Sequence, residues 1–203
     1  MKLADLLPAL DSAQVLAVPD VTVTGIAADS RQVKPGDLFV SIPGAHVDAH
    51  RFIPEAIRRG AVAVVSQRPF EVPPGIGAIV VPDARYALSA LADRFYDYPS
   101  CTLKMVGVTG TNGKTTTAFL VEAIARAAGR TMGVIGTAGM MLGPEEIEGK
   151  AGYTTPEPQT IHRLLATMLR RGAWGAVMEV YSHALEQRRT DHCRFDVAVF
   201  TNL

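Results

Sequence analysis

Six residues beginning at Gly110, in the order Gly-Thr-Asn-Gly-Lys-Thr, carry the chemistry most readily read from this chain. They follow an apolar, β-type run from Leu103 to Thr109 and precede a segment of helical periodicity. A strand that turns through glycines directly into a helix aims the first helical N–H groups at one spot, which favours an anion. Gly110 and Gly113 let phosphate oxygens approach the backbone because neither has a Cβ in the way. Lys114 has the reach for β and γ phosphates, and the Thr115 hydroxyl can ligate Mg²⁺. The longer phosphate-loop pattern is not met, since it requires Gly at position 108 and Val stands there. Gly, Lys and Thr also occur together in plain solvated turns. The strand before and the helix after decide for nucleotide binding, with Gly110, Thr111, Asn112, Gly113, Lys114, Thr115 and Thr116 as its residues.

The elements that must position this loop alternate between strand and helix along the chain, which predicts an α/β fold with largely parallel sheets. The β-branched run Val21 to Thr24 and the apolar run Leu38 to Ile42 read as strands, separated by the turn Pro35-Gly36-Asp37. His50 to Arg59 reads as a short helix with Ile53, Ala56 and Ile57 on one face and Gly60 as its stop. Ala61 to Val65 and Ala78 to Val81 read as buried strands. Asp83 can cap a helix whose apolar face is Leu88, Leu91, Ala92 and Phe95, with Pro99 ending it. A domain boundary is placed there, giving a small α/β domain over residues 1–99 and a P-loop-type parallel-sheet domain over 100–203.

In the second part a helix is predicted from Lys114 to Ala128, with Val121, Ile124, Ala125 and Ala128 facing inward. Met132 to Ile135 then completes a βαβ unit, which implies a parallel, right-handed crossover. Ile161, Leu164, Leu165, Met168 and Leu169 fit one face of a helix that stops at Gly172. Ala176 to Val180 and Val197 to Phe200 read as two further buried strands. Glu179 falls at the carboxyl end of one of them, where α/β sheets place ligands. An ionised carboxylate buried there without a cation would be costly, which favours a metal beside it.

Composition is that of a globular chain: 203 residues, 48% hydrophobic, with 20 basic residues balanced by 20 acidic ones. That balance leaves no electrostatic footprint for nucleic acid or an acidic membrane surface. No uncharged apolar run approaches the ~20 residues of a membrane-spanning helix. The start, Met-Lys-Leu-Ala-Asp, lacks the pattern of a secretory signal, so a cytoplasmic setting is expected. Cys101 and Cys193 have no CxxC spacing and read as reduced thiols.

The string Gly110 to Thr117 resembles the ATP loop of the Mur ligase family. Asp29-Ser30-Arg31 followed by Pro35-Gly36-Asp37-Leu38-Phe39-Val40 resembles the uridine-nucleotide domain shared by the ligases of the third residue and of the final dipeptide. Thr154-Thr155-Pro156-Glu157, Met178 to Leu185 and Phe195 to Leu203 resemble the branch that adds the third residue. The resemblance covers essentially the whole chain, with the motifs in family order. It implies ATP and Mg²⁺ as cofactors and UDP-N-acetylmuramoyl-L-alanyl-D-glutamate and an amino acid as substrates. It implies that Ser30 and the turn Ala45-His46-Val47 hold the uridine diphosphate end. Thr154, Thr155, Tyr181, Gln187 and Arg189 would meet the muramoyl-dipeptide part, the planar fork of Arg189 suiting a carboxylate or pyrophosphate. Glu179 would ligate Mg²⁺ with Thr115, and Lys114 and Glu179 would be the catalytic pair.

Each residue taken singly has a plainer alternative. Ser30, Thr154 and Thr155 are also ordinary turn or cap hydroxyls, and Glu179 with Arg189 would also make a solvated surface pair. His183 stays open between a site residue and a satisfied structural histidine. His46, His50, His162 and His192 have no mutual metal-ligand spacing and read as surface or structural.

The family reaction forms an amide through an acyl phosphate made at the expense of ATP. Two departures from the family pattern stand out. Tyr181 occupies a position where the family usually has Ser, so weakened binding of the UDP-substrate is expected, which Tyr181→Ser would restore. The family also continues past this chain's last residue with a lysine that helps hold a second Mg²⁺ and a domain that binds the amino acid. The isolated chain is therefore expected to be a monomer that binds its uridine nucleotide and turns over poorly or not at all. A complementing C-terminal fragment would supply the rest. The alternative is a non-catalytic binding remnant or one half of a split enzyme.

Overall fold

A computed structural model describes residues 1–44, 48–149 and 154–203. The chain divides into two compact units, Met1–Phe95 and Tyr96–Leu203. Among the described residues no helix is long and apolar enough to cross a membrane.

The first unit holds helices α1 (Leu3–Leu6), α2 (Ile53–Arg58) and α3 (Ala84–Phe95) and strands β1 (Gln14–Ala17), β2 (Gly25–Ala27), β3 (Asp37–Val40), β4 (Ala63–Ser66) and β5 (Gly77–Val80). The sheet order is β1-β5-β4-β3-β2, with β2 to β5 mutually parallel and β1 antiparallel to β5. Successive side chains on a strand point to opposite faces, and the two cores obey that rule. Leu38, Val40, Ala63 and Val65 pack with Leu88 and Leu91 of α3, whereas Phe39 and Val64 pack with Ile53 and Ala56 of α2. Asp83 caps α3 as expected, its Oδ1 accepting from the N–H groups of Arg85 (2.9 Å) and Tyr86 (3.1 Å). Two expectations change. The run Val21 to Thr24 is not a strand: apart from a single bridge from Thr22 to Lys2, pairing starts at Gly25. The first turn of the helix expected from His50 is 3₁₀, and α-helical geometry starts at Ile53.

The second unit holds α4 (Pro99–Thr102), β6 (Lys104–Thr109), α5 (Lys114–Ala127), β7 (Met132–Gly136), β8 (Gly139–Leu142), β9 (Glu145–Glu148), α6 (Pro158–Arg170), β10 (Gly175–Glu179), α7 (Ser182–Glu186) and β11 (Val197–Phe200). The sheet order is β11-β6-β10-β7-β8-β9, parallel from β11 to β7 and antiparallel through β8 and β9. Again the faces alternate. Val134 and Val177 pack with Ala118 and Ala125 of α5, and Ile135 and Met178 pack with Ile161, Leu164 and Met168 of α6.

Three further expectations change here. Pro99 does not end α3: the helix stops at Phe95, Asp97 and Tyr98 come next in the left-handed region (φ 62° and 53°), and Pro99 opens α4. β11, read as a buried strand, is an edge of the sheet, with Val197 and Phe200 exposed. The buried face of α5 is Ala118, Glu122 and Ala125, while Ile124 is 69% exposed. A helix set closely over a parallel sheet turns its small side chains inward, and Glu122 is accommodated by an ion pair to Arg126 at 3.1 Å.

Candidate functional site

Strand register fixes the centre of the second unit's site. Glu179 pairs with Val108 on one side, and its predecessor Met178 pairs with Ile135 on the other. The carboxyl ends of β6, β10 and β7 therefore lie side by side, and the segments leaving these strands share one edge of the sheet. The loop after β6 has Gly110 and Gly113 at φ 133° and 84°, a region from which L side chains are largely excluded. The first bond of α5 closes from the Thr117 N–H to the Gly113 carbonyl at 2.9 Å. The amides of Lys114, Thr115 and Thr116 precede that bond and have no helical acceptor, the condition for anion binding at a helix start.

Not every amide of the loop is available. Asn202 accepts from the Thr111 N–H through its carbonyl (3.3 Å) and from the Asn112 N–H through Oδ1 (3.0 Å). The Thr201 hydroxyl and Asn202 Nδ2 donate to the Asn112 carbonyl at 2.6 and 3.1 Å. The backbone amides of Thr111 and Asn112, two residues read from the sequence as ligand contacts, are thus taken up by Asn202. The donors left for an anion sit at its helical end.

Glu179 is 1% exposed. Its Oε2 accepts from the Thr115 hydroxyl at 2.9 Å and from the Thr137 hydroxyl at 3.2 Å, and its Oε1 from the Thr137 N–H at 3.0 Å. Gly136 makes the space: a Cβ there would stand 2.1 Å from Glu179 Oε1. A hydroxyl and a carboxylate, both oxygen donors, suit a hard cation that takes its remaining ligands from phosphate and water. Among the described residues no group of three or more His, Cys, Asp or Glu side chains forms a metal cage by itself. The donor set therefore fits Mg²⁺ held jointly with a phosphate, and does not fit a metal held by protein alone. Lys114 lies folded on the loop, donating to the carbonyls of Gly110 (2.6 Å) and Thr111 (3.0 Å).

A cavity of about 360 Å³ is lined by Thr154, Thr155, Tyr181, His183, Gln187 and Arg189, among others. The five residues that the sequence assigned to the muramoyl-dipeptide part are thus brought together. Thr155 is the joint: its hydroxyl donates to the Glu179 carbonyl (2.9 Å) and accepts from the Tyr181 N–H (3.0 Å). Arg189, 8% exposed, donates to the Thr155 carbonyl (2.7 Å), grips Gln187 Oε1 with Nε and Nη2 (2.9 and 2.7 Å), and pairs with Glu157 at 2.9 Å. Burial of both Glu179 and Arg189 rules out the solvated surface pair. His183 is exposed on the cavity wall, with Nδ1 2.8 Å from Glu186 Oε2 and Nε2 2.7 Å from Gln187 Nε2. His162 is fully buried on α6, and desolvation, with the nearby His192 adding to it, pushes its pKa down to about 3.

In the first unit a cavity of about 410 Å³ is lined by Asp29, Ser30, Arg31, Phe39, Ile42, Phe52 and Glu55, among others. Ser30 is buried and its hydroxyl donates to Glu55 Oε2 at 3.0 Å. That bond and the one from Arg59 hold the Glu55 carboxyl below the usual range. Arg31 does the same to Asp29, gripping both carboxylate oxygens at 2.9 and 2.7 Å. Ala45, His46 and Val47, expected beside Ser30, lie outside the described residues.

Sequence reading missed Gly136, Thr137, Asn202 and Glu55. Thr137 and Glu55 carry no local signal, being single residues whose partners are 42 and 25 positions away. Gly136 and Asn202 were legible only as members of apolar-strand ends.

Two family models match the chain: the Mur ligase middle domain over residues 108–203, and the Mur ligase family catalytic domain over residues 22–96. The chain belongs to the Mur ligase family. Over its whole length it is 46% and 45% identical to the UDP-N-acetylmuramoyl-L-alanyl-D-glutamate–2,6-diaminopimelate ligases of Geobacter metallireducens and Geobacillus thermodenitrificans. It spans 39% and 41% of those relatives' own lengths. A solved structure bearing the same ligase name superposes with a TM-score of 0.82 at 28% identity, covering all of this chain and 40% of that one.

Proposed function

We propose that this chain carries the triphosphate site and the UDP-substrate site of an ATP-dependent amide ligase of peptidoglycan synthesis. In the complete reaction a carboxylate of UDP-N-acetylmuramoyl-L-alanyl-D-glutamate takes the terminal phosphoryl group of ATP, and an amine then displaces phosphate from the acyl phosphate. The names of the relatives support 2,6-diaminopimelate as the source of that amine. The observation that carries the reading is the 2.9 Å contact between the Thr115 hydroxyl and the buried Glu179 carboxylate, at the start of α5.

In this reading the amides of Lys114, Thr115 and Thr116 hold phosphate oxygens. Lys114 leaves the loop carbonyls to neutralise charge on the transferred group, so catalysis is positioning and electrostatics. Thr115 and Glu179 would hold Mg²⁺, which supplies further charge neutralisation when bound. Thr154, Thr155, Gln187 and Arg189 orient the carboxylate-bearing end of the substrate beside them. Ser30 and its cavity take the uridine diphosphate end, so residues 1–99 form the uridine-nucleotide domain and residues 100–203 the ATP domain. Those substrates are consistent with a cytoplasmic setting.

Thermal melting with Mg-ATP and with UDP tests the assignment, since a ligand of the folded state raises its apparent stability. Both ligands are expected to raise the melting temperature. Lys114→Ala should abolish the ATP shift alone, and Ser30→Ala should reduce the UDP shift alone. An ATP shift that survives Lys114→Ala would overturn the loop assignment.

A further inference from the structure

The ammonium of Lys114 has a third neighbour besides its two carbonyls: its Nζ lies 5.9 Å from the centroid of the Tyr181 ring. That separation is within the reach at which a cation is drawn to the negative face of an aromatic ring. The Tyr181 backbone is fixed by its N–H bond to Thr155 and by its place as the residue before α7, with extended φ and ψ of −80° and 143°. The residue is 51% exposed and also lines the cavity of Thr154 and Arg189. One aromatic ring therefore forms both a wall of the substrate cavity and a resting place for the phosphate-loop lysine.

We propose that Tyr181 is a positioning residue for Lys114, whose ring steadies the ammonium on the Gly110 and Thr111 carbonyls and so lowers affinity for the nucleotide. The inference rests on the triphosphate reading above. A phosphate that recruits Lys114 must draw it away from two neutral carbonyls and from the ring. The carbonyl bonds are replaced by bonds to phosphate oxygens, in which the acceptor is charged as well as the donor. The ring contact has no such replacement, and its loss is subtracted from binding. A contact of this kind at an exposed site corresponds to roughly two- to fivefold in affinity.

Titration of the full chain with Mg-ATP, comparing wild type, Tyr181→Phe and Tyr181→Ser, tests this. Tyr181→Phe keeps the ring and should match wild type, while Tyr181→Ser should bind Mg-ATP roughly two- to fivefold more tightly. A second measurement needs no nucleotide. In protein made with ¹³C-labelled lysine, the Lys114 side-chain signal is identified by its loss in Lys114→Arg. It should be ring-shifted in wild type and Tyr181→Phe, and return to the position of the other lysines in Tyr181→Ser. Mg-ATP binding by wild type with unchanged or weaker binding by Tyr181→Ser overturns this inference alone. So does equal tightening by Tyr181→Phe, or a Lys114 signal without a ring shift. No Mg-ATP binding by any of the proteins overturns the triphosphate reading and this inference together.

Discussion

The two units share one plan, a mostly parallel sheet with helices on both faces, yet their cavities hold ionisable groups in opposite ways. In the second unit Glu179 and Arg189 are buried, and each is met by several donors or acceptors from the segments around it. In the first unit the cavity acids, Asp29 and Glu55, keep contact with water and are steadied by Arg31 and Arg59. The difference shows what a site at aligned strand ends provides. It supplies hydroxyls and amides at fixed positions, so charge can be carried inward. A cavity walled by Phe39, Ile42 and Phe52 offers a surface for a flat ligand and few donors.

The contrast extends to pH, and the largest expected effect breaks or sharpens it there. His162 has a native pKa of about 3 against an ordinary 6.5. The unfolded chain then takes up a proton that the folded chain refuses as pH falls below 6.5. Stability conferred by neutral His162 is complete above 6.5 and is lost on acidification, at up to about 1.4 kcal/mol per pH unit until about pH 3. Hydrogen exchange of the full chain from pH 7 to 5, read by residue, should show second-unit protection falling first. His162→Gln should remove that slope whatever it does to stability at pH 7; a slope that survives the substitution assigns the acid sensitivity elsewhere.

Next in size is Gly136→Ala. Its Cβ would fall 2.1 Å from Glu179 Oε1 and 2.7 Å from Cδ, so the carboxylate must move or the strand must shift. Overpacking of this kind costs about 1–3 kcal/mol. The melting temperature should fall and the Mg²⁺ dependence of ATP binding should weaken, with UDP binding unaffected. Unchanged Mg²⁺ dependence would mean that Glu179 need not stand where it does.

The smallest effect lies in the first unit. Asp93 on α3 is 7% exposed, and desolvation raises its pKa from 3.8 to about 6. Here the folded chain holds its proton longer, so stability falls as pH rises from about 4 to 6 and stays lower above. Asp93→Asn should raise stability at pH 7.5 by about 1–2 kcal/mol and by almost nothing at pH 4. Equal gains at both pH values would point to packing rather than to charge.

Much of this was legible in the sequence because periodicity and glycine stops are local. The turn at Gly36, the cap at Asp83, the apolar face of α6 and the strand–loop–helix at Gly110 all appear as read. The features that escaped depend on partners distant in sequence. Sequence periodicity put Ile124 inside α5, but the sheet beneath accepts Ala118 and Ala125, and Ile124 faces outward. The hairpin of β8 and β9 escaped because Glu145, Glu146 and Glu148 mask its alternation; two of those acids pair with Arg171 and Arg163. Thr137 escaped because nothing beside it marks the end of β7 as the shelf beneath a carboxylate.

The brace behind the phosphate loop has one more consequence. Thr201 and Asn202, delivered by β11, hold Thr109, Thr111 and Asn112 by backbone and side chain alike. The curvature of the turn is thus settled by contacts within the chain itself. On the triphosphate reading, a ligand would meet a receptor already shaped, and little of its affinity would go into freezing the backbone around it.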